Sequence, residues 1–143
     1  MTAVVLDDHL LRDLLAKQQS PGLTTLLRTY EPATTNLYYV RLCRSAVNAR
    51  GSKLTGAWPA ALRQSLAQAL VALPATVRIV PMRDLAFRIA ELAGTHKLST
   101  LGAEAVAAAE HLGGPLAVWD GDVGPQISSA ASAVGSAYHA VAR

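Results

Sequence analysis

Two short apolar runs, "AVVL" at 3–6 and "LAVW" at 116–119, each end on an aspartate, Asp7 and Asp120. Runs that are continuous rather than alternating read as strands covered on both faces, the habit of parallel sheets flanked by helices. A third run, "ATVRIVP", is β-branched and bounded by Pro74 and Pro81, and reads as the clearest strand of the chain. An extended piece near Ala33–Thr35 and an edge strand within "SAYHAVA" complete the set. Between these runs the pattern turns helical. Leu10, Leu11, Leu14 and Leu15 predict an amphipathic helix over 8–18, broken by "SPG" at 20–22. Further helices are expected from Asn36 to about Arg50, over "WPAALRQSLAQALVAL" with Pro59 in its first turn, and over Arg83–Ala93, Thr100–Leu112 and Pro125–Val134. "RGSK" at 50–53 reads as a loop, "LGGP" at 112–115 as a helix stop and turn, and the alanine-rich tail from 129 to 143 as packed helix. Strands alternating with helices predict an α/β fold: a three-layer α/β/α sandwich around a parallel sheet of four to five strands, formed by one domain of 143 residues.

Several function classes fall away. No apolar run approaches the length of a membrane span, and the N-terminus lacks the pattern of a signal peptide, so a cytoplasmic protein is expected. The one cysteine, Cys43, excludes an internal disulfide and a cysteine-based zinc cluster, and its apolar neighbours make it a buried thiol. No GxGxxG, Walker or GxSxG motif occurs, and the four histidines lack metal-binding spacing. Thirteen basic against ten acidic residues give a formal net charge of +3, compatible with RNA and equally with a solvated basic face between residues 41 and 53.

Ligands of parallel α/β sheets bind outside the carboxyl ends of the strands. If both of these strands are central and parallel, Asp7 and Asp120 emerge on one rim. Two carboxylates there need a cation or a shared proton, and an oxygen-rich site suits Mg²⁺ or Mn²⁺. Asp8 is expected to cap the first helix. Thr35 and Asn36 are expected to cap the second and, as a second function, to touch a phosphate. His9 lies near the rim. Trp119 and Tyr39 are read as packing residues.

Three segments in register, "VVLDDHLL", "TTNLYYVRLCRSA" and "LSTLGAEAVAAAEHLGGPLAVWDGDVG", resemble the PIN domain, in particular small VapC-type toxins. The resemblance implies a metal-dependent endoribonuclease with acids at Asp7, Asp120 and Asp122, the first two holding the metal, together with RNA as substrate, a small antitoxin-like protein as partner and a homodimeric state. Two further acids of the family pattern fall on Arg41 and Gly102. Neighbouring Glu104 is some 200° around the helix from Gly102 and points away from that face. An Arg41 guanidinium beside the remaining acids would stand in for the metal and repel a divalent ion. Two readings follow: a PIN-fold protein with weak or no nuclease activity that binds RNA or a protein, or an active endoribonuclease using Asp7, Asp120 and Asp122.

Overall fold

The computed structural model describes residues 1–48 and 53–143. The chain runs β1 (Ala3–Leu6), α1 (Asp8–Leu15), α2 (Pro21–Thr29), β2 (Glu31–Thr34), α3 (Asn36–Val47), α4 (Ala60–Val71), β3 (Arg78–Ile79), α5 (Met82–His96), α6 (Thr100–Leu112), β4 (Leu116–Trp119), a 3₁₀ turn (Asp120–Asp122), α7 (Pro125–Ala133) and β5 (Tyr138–Val141). The five strands form one parallel sheet in the order β3-β2-β1-β4-β5. β1 therefore pairs with β2 on one side and β4 on the other. The connections diverge there, which makes the β1–β4 rim the switch point of the sheet.

Side chains alternate across β1 and β4, and the core divides accordingly. Val5, Leu116 and Val118 pack against α5, α6 and α7, through residues such as Leu85, Val106 and Ala130. Val4, Leu6 and Ala117 face α1 and α2, through Leu10 and Leu23. A third cluster, with Leu11, Leu42, Leu66 and Leu70, joins α1 to α3 and α4. This is the expected α/β/α sandwich. Gly102 to Ala109 of α6 are all buried, and six of these eight residues are glycine or alanine, whose small size lets neighbouring elements approach from several directions. Among the described residues no helix is long and apolar enough to cross a membrane.

The local departures have physical causes. "SPG" starts a helix as well as ending one: the Ser20 hydroxyl accepts the Leu23 N–H and Pro21 occupies the first turn of α2, which the reading of the sequence left unassigned. The β-branched run at 75–81 contributes only Arg78 and Ile79 to the sheet. Val77 is drawn into a turn by its hydrogen bond to the Pro74 carbonyl, and α5 begins just after Pro81. The tail is helical only to Ala133 and then supplies β5, because an edge position beside β4 accepts tyrosine, histidine and valine. α3 ends at Val47, and the expected continuation to Arg50 and most of the "RGSK" loop lie outside the described residues. Cys43 is half-buried rather than buried.

"LGGP" is the expected stop. Gly113 closes α6 in the left-handed region, at φ 67°, and Gly114 passes so close to β1 that a Cβ there would lie 1.8 Å from the Ala3 carbonyl oxygen. Gly114→Ala is expected to destabilise the fold by about 3 kcal/mol, through forced movement of backbone. Gly113→Ala, which only has to adopt a left-handed conformation, should cost about 1 to 2 kcal/mol. Urea unfolding of the two variants tests the order.

Candidate metal centre at the β1–β4 rim

The backbone brings the site together. The Asp7 N–H donates to the Ala117 carbonyl at 3.1 Å, ending the β1–β4 ladder. The chain turns into α1 at that point, and Asp7 is the residue that caps it. One carboxylate oxygen accepts the Leu10 N–H at 2.9 Å, and the other accepts the Trp119 N–H at 3.0 Å. The expectation that Asp8 caps this helix is thus corrected. Capping needs extended backbone before the first turn, which Asp7 has and Asp8, already helical, does not.

Asp8 instead turns inward. One of its oxygens accepts the His9 N–H and lies 3.2 Å from His9 Nδ1, while Asp122 Oδ2 lies 3.0 Å from the same nitrogen. Arg41 Nη1 stands 3.4 Å from Asp8 Oδ2, without hydrogen-bond geometry, so that buried oxygen has no hydrogen-bond donor. Asp7 and Asp8 are each only 2 % exposed and His9 6 %, whereas the Asp122 side chain is half-exposed. Ligand atoms of Asp7, Asp8, His9 and Asp122 all lie within 4.8 Å of one another.

Asp120 is not in this group. It is exposed at the start of the 3₁₀ turn, and two residues on such a turn, at three per revolution, lie about 240° apart, so Asp122 faces the cluster in its place. Gly121 between them has no Cβ because the Trp119 ring occupies that space: an added Cβ would meet the indole at 2.4 Å. The indole sits with its centroid 4.6 Å from the His9 ring. Arg41 reaches the rim, but its partner is Asp8.

Thr35 and Asn36 are wholly engaged as structure. The Thr35 hydroxyl accepts the Tyr38 N–H, and the Asn36 side chain donates to the Val80 carbonyl. The N–H groups of Asn36 and Leu37 donate to Glu104, which also accepts the Asn36 amide, so these donors are taken up within the fold. Glu104 is fully buried. It is not among the clustered ligand atoms, and its capping role was missed. A lone acid inside "GAEAVAAA" must find donors, and that was the available signal. Asp8 and His9 were missed as cluster members because the run "DDH" reads equally as a helix start.

Electrostatics follow from burial. Asp7 is raised to about 7: burial dominates and Asp8 adds to it, outweighing the Leu10 and Trp119 N–H groups and His9. For His9, burial opposes the charged form, but the carboxylates of Asp8, Asp7 and Asp122 prevail and hold it above its ordinary value. The Tyr38 phenol is pushed well up by burial and by Asp7 and Asp8, and Tyr138 is raised by burial with Asp7 and Asp122 adding. Compared with protein-family models and with curated proteins, the chain matches none.

Two outcomes follow. Asp7 has a folded value above its unfolded 3.8, so its contribution to stability is full below pH 3.8 and is lost as pH rises toward 7. His9, raised from 6.5, loses its own contribution above that pH, in the same direction. In the absence of divalent cations the melting temperature should therefore fall from pH 5 to pH 8, and Asp7→Asn should flatten the slope. Glu104→Ala should cost about 2 kcal/mol in urea unfolding, because it removes the acceptor of three partly buried donors.

Proposed function

We propose that this chain is a PIN-like domain that seats one divalent cation, Mg²⁺ or Mn²⁺, at the β1–β4 rim and holds RNA phosphate against it, with weak cleavage or none. One observation carries this reading: three carboxylates and an imidazole from two strand ends converge within 4.8 Å. The donor set fits such an ion. Asp8 Oδ2 is a buried acceptor with no hydrogen-bond donor, and Asp122 opens the cluster to solvent. An imidazole among oxygen ligands favours Mn²⁺ over Mg²⁺. A cation held there would polarise a phosphodiester oxygen and acidify a bound water.

The chain's own groups support retention of RNA over hydrolysis. Arg41, half-exposed and 3.4 Å from Asp8, offers a guanidinium to a phosphate beside the cation. It also competes for Asp8 with the metal. Both Asp7 oxygens are committed to backbone N–H groups, and Asp122 Oδ2 stands 3.0 Å from His9 Nδ1. Tyr38 and Tyr138 remain protonated and supply no base. At Gly102 no acid is present, and Glu104 is spent on α3. The exposed Asp120 is the one nearby carboxylate with no partner among the described residues, and it is the group an active enzyme would use as base.

Isothermal titration and Mn²⁺ electron paramagnetic resonance test the cation. One Mn²⁺ should bind per chain. Asp122→Asn should weaken it about tenfold or more, and Arg41→Gln should tighten it about threefold by removing a competing charge. No binding at about millimolar Mn²⁺ overturns the reading. Cleavage of RNA that requires Mg²⁺ or Mn²⁺ and is abolished by Asp7→Asn would make the protein an active endoribonuclease instead.

A further inference from the structure

Beside the acidic rim, the outer face of α3 carries the opposite charge. Arg41, Arg44, Ser45 and Asn48 fall at i, i+3, i+4 and i+7, the spacing of one helix face. With Lys53 and Leu54 they line a cleft of about 280 Å³. Three of these six residues are cations and none is an acid. Arg44 and Lys53 are exposed and have no ion-pair partner among the described residues, so the cleft keeps its charge. A merely solvated helix face usually interleaves both signs.

The two walls are also held in place. The hydroxyls of Ser45 and Thr55 are both buried and lie 2.7 Å apart, and the Thr55 hydroxyl donates to the Ser45 carbonyl at 3.0 Å. The Leu54 carbonyl accepts a hydrogen bond from the buried Arg12 guanidinium. These bonds fix Thr55 against α3 and Leu54 against α1, next to Lys53, which lines the cleft with Arg44. Arg41 belongs to both places. It lines the cleft and it contacts Asp8 of the cluster, so the two sites adjoin.

We propose that this cleft binds a backbone phosphate of the RNA strand whose neighbouring phosphate lies at the cation cluster, with Arg44 and Lys53 as its partners and Arg41 between the two phosphates. The proposal rests on the reading of the rim as an RNA site. The cleft lining contains cations, a serine, an asparagine and a leucine but no aromatic ring, which suits contact with the backbone and no stacking of bases. Recognition here is independent of sequence and sensitive to salt.

The test is fluorescence anisotropy of a labelled single-stranded RNA of about twelve nucleotides, titrated with the full chain over a salt series. The double variant Arg44→Gln/Lys53→Gln should bind about tenfold more weakly and lower the log–log salt slope by about 1.4, two contacts at about 0.7 each. The charge-preserving Arg44→Lys/Lys53→Arg should recover most of the affinity. Unchanged affinity and slope in the Gln variant, or no RNA binding by the wild-type chain, would overturn the assignment. Inorganic phosphate at matched ionic strength should leave RNA binding unaltered, and displacement by phosphate would reassign the cleft to a small anion and sink the backbone proposal. Mn²⁺ titration of the wild-type chain separates the two readings. RNA binding that depends on Arg44 and Lys53 in a chain that takes no Mn²⁺ upholds the cleft and removes the cation site. Mn²⁺ binding with RNA affinity indifferent to the Gln variant does the reverse.

Discussion

The carboxylate of Asp7 ties together the end of β1, the first turn of α1 and the end of β4. Each of its oxygens accepts a backbone N–H from a different element, while its own N–H closes the ladder to β4. These two buried hydrogen bonds fix where the 3₁₀ turn leaves the sheet. Asp122 is carried by that turn, and Asp8 and His9 by the helix that Asp7 caps. The cluster is thus the geometric result of one residue ending two strands together. The same burial that makes these bonds effective also raises Asp7 far from an ordinary aspartate.

The other wall of the rim depends on a second buried acid. Glu104 extends from α6 to the first N–H groups of α3, which sets its side-chain oxygens at the positive end of that helix. α3 then presents Tyr38 toward the acidic residues and Arg41 to Asp8, with Arg44 beyond. Rim and cleft share this one helix, held from beneath by a side chain that never meets solvent.

Much of the architecture was legible because apolar continuity is a local signal. β1, β4 and α6 begin and end where the residues say, since each is bounded by an acid, a capping serine or a glycine pair. β3 was over-read: β-branched content marks a strand's surroundings, yet the hydrogen bonds of an edge depend on the partner's length. α2 was missed because proline after serine signals a stop and a start alike. At the site, the shared rim of β1 and β4 could be inferred from the paired run-then-aspartate pattern. The choice of Asp122 over Asp120 could not, because it is decided by the rotation of a three-residue turn and by an indole that claims the space at Gly121.

That indole has a consequence of its own. Trp119 rests on the His9 imidazole, and its backbone N–H is held by Asp7, whereas the chain's other tryptophan, Trp58, lies over the Arg12 guanidinium. The Arg143 guanidinium lies over the same indole, so the side chain at the end of β4 joins the imidazole of the cluster to the last residue of the sequence given.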